Sequence, residues 1–107
     1  MSGNFRLSVP DAAKRGEAIA LRLIVQHPME TGYRLDANGT AFAKNVIREI
    51  VCRFHGEDVL RMELGSGIAA NPYIEFFAVA DRSGEIVIDW IDDAGVKGQA
   101  RAMVTVT

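Results

Sequence analysis

The stretch "AIALRLIV", residues 18–25, decides how the rest of this chain is read. Ile19, Leu21, Leu23 and Val25 fall on one parity, and Arg22 falls on the other. Successive side chains of a strand point to opposite faces, so this spacing makes one buried face and one outward face. A helix would scatter the same residues around its axis. Six further runs repeat the alternation: "FRLSV" from Phe5, "VIREIVCRF" from Val46, "VLRMEL" from Val59, "YIEFFAV" from Tyr73, "EIVIDWID" from Glu85 and "QARAMVTV" from Gln99. Between them stand "KRGE", "DANG", "FHGED", "DRSG" and "DDAG", where Gly supplies positive φ and Asp or Asn bonds its own backbone. Only "DAAKRGEAIAL" resembles a helix, and Gly16 with the β-branched continuation argues against it. Seven short strands at this spacing predict an all-β protein closed as an antiparallel β-sandwich.

The 107 residues suit one domain, 1–107, with a single core. Of these, 49% are apolar and 24% charged, the mix of a folded chain rather than a disordered one. Twelve basic and fourteen acidic residues leave a net charge of −2, and the basic ones are scattered singly. Nucleic acid and anionic membranes both require a concentrated basic surface, so neither is expected as a partner. No apolar run approaches the roughly 20 residues of a transmembrane helix. The opening "MSGNFRLSVP" lacks the basic and apolar regions of a signal peptide, which taken alone predicts a cytoplasmic protein or one exported by a route this chain does not encode. Cys52 is the only cysteine, which rules out an intrachain disulfide and a multi-thiolate metal site. Its place among apolar neighbours predicts a buried, inert thiol.

Two runs carry more apolar surface than a lone sandwich needs. In "YIEFFAV", Tyr73, Phe77 and Val79 share one parity and Ile74, Phe76 and Ala78 the other. In "EIVIDWID", Val87 and Ile91 flank Asp89 on the face opposite Ile86, Ile88 and Trp90. The outer face of a sandwich strand normally reads polar, so a covering loop or a partner protein is required.

Several motifs fail their own tests. Gly65, Gly67 and Ala70 have dinucleotide-loop spacing, but Asn71-Pro72 and a strand follow where a helix must open. Asp36 and Asn38 lack the Gly and Glu positions of a calcium loop, and Asn38-Gly39 reads as a tight turn. His27, Glu30 and His55 are the only candidates for a metal-dependent enzyme. Pro28 keeps His27 off a helix, so His27 is expected to be hydrogen-bonded within its loop and His55 to lie in solvent. Asp92 and Asp93 lie in "DDAG", where turn chemistry accounts for them. No nucleophile motif is present, so no catalytic residue, metal or cofactor is expected.

The stretch "HPMETGYR", residues 27–34, the "NPY" at Asn71–Tyr73 and the "W-x-D-D-x-G" of Trp90, Asp92, Asp93 and Gly95 resemble the SoxZ family, from the first strand to the last and in the same order. SoxZ is one subunit of the SoxYZ sulfur-carrier complex of thiosulfate oxidation. The resemblance implies an immunoglobulin-like sandwich and a non-catalytic subunit in a heterodimer with SoxY, whose Gly-Gly-Cys-Gly-Gly arm carries the sulfur. This chain ends "AMVTVT" without such an arm. Its implied role is to hold SoxY and present that arm in transient contacts with other Sox enzymes. The implied location is the periplasm, reached by co-export with a signal-bearing partner. Without SoxY, the isolated chain is expected to form a homodimer through the same surface. A general immunoglobulin-like interaction or chaperone module is the alternative.

His27, Met29, Glu30, Tyr33 and Arg34 of the loop, with Tyr73, Ile74 and Phe76 of the apolar strand, are the candidate partner-binding residues. Thr31-Gly32 and Asn38-Gly39 predict bends that fold the segment into an irregular hairpin. Glu30 and Arg34, four apart, can pair with each other or with a partner's charges. Two roles fit the loop: an interface, or an internal brace across the end of the sandwich.

Overall fold

The computed structural model describes residues 5–65 and 67–107. Among these residues eight strands run in order: β1 (Phe5–Ser8), β2 (Ala12–Ala13), β3 (Ala18–Val25), β4 (Ile47–Phe54), β5 (Glu57–Glu63), β6 (Tyr73–Val79), β7 (Gly84–Asp92) and β8 (Lys97–Val106). They form a three-stranded sheet, β1-β3-β6, and a five-stranded sheet, β2-β8-β7-β4-β5. Each of the seven alternating runs becomes a strand. The eighth, β2, was not anticipated: two residues are too short to show a period. Ala12 and Ala13 pair in parallel with Thr105 and Val106, the one departure from an antiparallel arrangement among the described residues.

The sandwich closes because the same parity in each run points inward. Ile19, Leu21, Leu23, Val25 and Ile74 of one sheet face Ile50, Cys52, Phe54, Ile86, Ile88, Trp90, Ala100 and Val104 of the other, and all are buried. Leu60, Met62, Leu64 and Phe76 pack at the margin of this core. Phe5 meets Trp90 edge-on, with ring centroids 5.4 Å apart. A Cβ at Gly98, the cross-strand partner of Trp90, would overlap the indole ring. Glycine there lets the largest core side chain lie flat across its neighbour.

The outer faces of the two sheets differ. On the five-stranded sheet Arg53 bonds Asp58 (3.0 Å) and Asp89 (2.8 Å), Arg61 bonds Glu49 (2.9 Å) and Asp58 (3.2 Å), and Arg101 bonds Glu85 (2.7 Å). Val87 is flanked by Arg53 and Arg101, and Ile91 by Glu49 and Lys97. The aliphatic stems of long charged side chains cover such positions, so both residues are half-buried, while Met103 (62% exposed) and Val59 (45%) stand open singly on β8 and β5. The three-stranded sheet carries the ion pair Arg22–Glu75 across β3 and β6, which leaves the rows on either side of it open. Tyr73, Phe77 and Val79 of its edge strand β6 are 56%, 65% and 61% exposed.

Candidate functional site: a braced loop beside an open apolar face

The segment between β3 and β4 is an irregular hairpin, as its turn residues require. Glu30 and Asn45 exchange backbone hydrogen bonds of 2.8 Å each, and Leu35 bridges Ala41 nearer the tip. Thr31 Oγ1 accepts from Tyr33 N–H (3.2 Å), and Gly32 follows with φ 90°, which makes the first bend. Asp36 Oδ1 accepts from Asn38 N–H (2.8 Å) and Thr40 N–H (3.0 Å), so its carboxylate closes a turn rather than a calcium loop. Arg34 pairs with Glu30 and lies over the Phe42 ring, 3.8 Å from its centroid. The guanidinium holds the Glu30 carboxyl below its ordinary value.

The base of the hairpin is tied to the sandwich by His27. Its backbone N–H donates to Asn71 Oδ1 (3.0 Å), and Asn71 N–H donates back to the His27 carbonyl (2.8 Å). Nδ1 accepts from Met29 N–H (2.9 Å), so the proton sits on Nε2, which donates to Asp92 Oδ2 (3.1 Å). Asp92 Oδ1 accepts from Val96 N–H (2.9 Å), and Asp93 Oδ2 accepts from Val46 N–H (3.1 Å). Burial pushes the Asp92 carboxyl up, but hydrogen bonds from Val96, His27 and Ala94 outweigh it and leave the group below its ordinary value. The aspartates therefore shape their turn, as expected, and also brace the loop, which their local sequence does not reveal.

The candidate binding residues separate into two groups. Met29, expected as a surface contact, is 3% exposed, with φ 51° and Ile47 N–H directed at its sulfur (3.3 Å). His27 is mostly buried, and Ile74 and Phe76 turn toward the core. They sit on the buried parity because their β3 partners, Leu23 and Leu21, line the core. Tyr33 (84% exposed), Arg34 and Tyr73 stand in solvent. Phe77 and Val79 belong with them but were not singled out, because both parities of β6 are apolar. The register with Leu21 and Leu23 would have settled the choice.

The metal-enzyme alternative fails on geometry. His55 lies beside Gly84 and His27 beside Asp92, the two ends of β7, separated by roughly 25 Å of strand. His55 also stacks on Phe54 (4.0 Å) and reaches the Arg82 carbonyl (3.0 Å), rather than standing in solvent. Among the described residues no group of three His, Cys, Asp or Glu gathers as a metal site. Gly65 and Gly67 precede a strand, not a helix; Ser66 between them lies outside the described residues. Cys52 is 0% exposed, and burial pushes its thiol up to about 11.

Comparison with known proteins agrees with this architecture. The chain resembles a variant of the superoxide reductase (neelaredoxin) from Ignicoccus hospitalis at 20% identity and a TM-score of 0.76, over 99% of this chain and 82% of that one. A putative superoxide reductase from Thermotoga maritima gives 18% identity and 0.75, over 100% and 88%. The sulfur carrier protein SoxY from Chlorobium limicola f thiosulfatophilum gives 14% identity and 0.63, over 96% and 78%. At these identities the likeness is one of fold, the immunoglobulin-like sandwich. No curated protein sequence matches the chain. The family model described as "Sulphur oxidation protein SoxZ" matches residues 6–103, and by that match the chain belongs to the SoxZ family.

Proposed function

We propose that this chain is the non-catalytic subunit of a sulfur-carrier complex. It binds a SoxY-type carrier as a heterodimer and holds it so that the carrier's cysteine-bearing arm reaches the other Sox enzymes. The observation that carries this reading is the sealed thiol. Sulfur transfer runs through a thiolate, and Cys52, the only cysteine in these 107 residues, is buried with its thiol raised to about 11. In a chain of a sulfur-oxidation family, the sulfur must then ride on another protein. The uncovered face of β6 supplies a place for that protein to dock, since exposed aromatic and aliphatic side chains beside an edge strand favour association. Tyr33 and Arg34, braced from below by Met29 and His27, offer a second contact for the carrier or a visiting Sox enzyme.

The proposal includes the periplasm as the site of action, reached with the carrier's export signal. Fractionating cells with and without that signal tests this part. Binding and cargo are tested together by co-expressing the chain with a SoxY-type carrier, purifying the complex and weighing both proteins after exposure to thiosulfate-oxidising extract. The expected result is a one-to-one complex with sulfur adducts on the carrier's cysteine and none on Cys52. An adduct on Cys52, or a folded chain that never retains the carrier, would overturn the reading.

A further inference from the structure

The face built by β3 and β6 has a property that carrier binding alone does not require: it complements itself. The register sets Phe77 beside Ala20 and Val79 beside Ala18, so in these two rows β6 carries the large side chain and β3 the small one, whereas Ile24 and Tyr73 form a row that is large on both strands. Phe77 and Val79 project into solvent, while Ala20, directly across from Phe77, is half-buried. Midway along the rows, Arg22 pairs with Glu75.

A two-fold axis parallel to the strands, midway between β3 and β6, exchanges the two columns and keeps every row. It seats Phe77 of one copy over Ala20 of the other and Val79 over Ala18, large over small, as stacked sheets need to interdigitate, and brings Tyr73 over Ile24 as an apolar contact at the end of the rows. The same operation places each Arg22 over the other copy's Glu75. The two intrachain pairs then close into a ring of four alternating charges, so the only charged row of this face between β3 and β6 is matched rather than desolvated alone.

We infer that two copies of this chain pack through the outer faces of their three-stranded sheets about this axis when no other partner covers them. The carrier is proposed to occupy the same face, so the homodimer and the carrier complex exclude one another. The homodimer itself rests on register and charge, and stands whether or not the carrier binds. Three strands make a small interface, so the association is weak and concentration-dependent.

Sedimentation velocity of the purified full-length chain over a concentration series tests it, alongside Arg22→Glu, Glu75→Arg and an equimolar mixture of the two. The wild type is expected to shift from monomer toward dimer as concentration rises. Each single variant brings four like charges together when it meets its own copy, and is expected to stay monomeric. In the mixture the two carboxylates of the first variant face the two guanidinium groups of the second, and the dimer is expected to return. A monomeric wild type overturns the proposal, as do single variants that dimerise like it or a mixture that stays monomeric. Circular dichroism checks folding. If a charge variant misfolds, Ala20→Arg fills the hollow under Phe77 instead, and an undiminished dimer in that variant overturns the proposal. A wild type that is monomeric yet binds the carrier overturns the homodimer and leaves the face to the carrier alone.

Discussion

Cys52 and the His27–Asp92 pair show how position, not residue type, settles chemistry in this chain. At pH 8 a thiol raised to about 11 is ionised in about one molecule in a thousand. A thiol reagent should therefore label the native chain at least ~100-fold more slowly than the urea-unfolded chain, read by absorbance. Equal rates would show an accessible thiolate and undo the spectator role. Asp92 accepts from His27 and Val96, so Asp92→Ala leaves two partly buried donors without acceptors and should cost about 2–4 kcal/mol in denaturant unfolding. Its folded carboxyl lies below the ordinary value, so its contribution is complete above the unfolded pKa and is lost as pH falls through the folded one. Stability of the wild type should thus fall more steeply below about pH 4 than that of Asp92→Asn. Parallel acid limbs would contradict the assignment. "DDAG" announced a turn in the sequence, and the turn is there. The bond to His27 spans 65 positions, and no local pattern encodes it.

Among the elements, the alternation of "AIALRLIV" and its six counterparts sufficed to name seven strands, because burial of one face is a local, period-two signal. It could not name β2, whose two alanines are held only by the parallel neighbour β8. Nor could it choose between the two parities of β6, a choice made by pairing with Leu21 and Leu23 on β3. The loop divides similarly. Its bends and the Glu30–Arg34 pair were legible as short-range chemistry, whereas the burial of Met29 depends on Ile47 and the core beyond it. Met29→Ala should accordingly lower stability by about 2–4 kcal/mol, while Tyr33→Ala should change it by less than about 0.5 kcal/mol, both read from urea melts. A neutral Met29→Ala would return that side chain to the surface role first expected for it. Tyr33→Ala is then the cleaner probe of whether the hairpin touches another protein.

For the whole molecule, the contrast between two outer faces carries the functional account. The five-stranded sheet covers Val87 and Ile91 with its own charged side chains and leaves Met103 and Val59 exposed singly on β8 and β5, whereas the three-stranded sheet leaves Tyr73, Phe77 and Val79 open along one strand. The surplus was visible in the sequence of both β6 and β7. Which of the two would be left uncovered depended on cross-strand arginines that only the fold brings into place. The central claim is that this open face holds the protein on which the sulfur rides. Its most direct measurement is the calorimetric affinity of the purified chain for a SoxY-type carrier, compared among the wild type, Phe77→Glu on the open face and Arg101→Glu on the charged one. The account predicts one-to-one binding, weakened at least about tenfold by Phe77→Glu, a loss of about 1.4 kcal/mol or more, and unchanged by Arg101→Glu. A folded wild type that does not bind the carrier, or three affinities that agree, would contradict it.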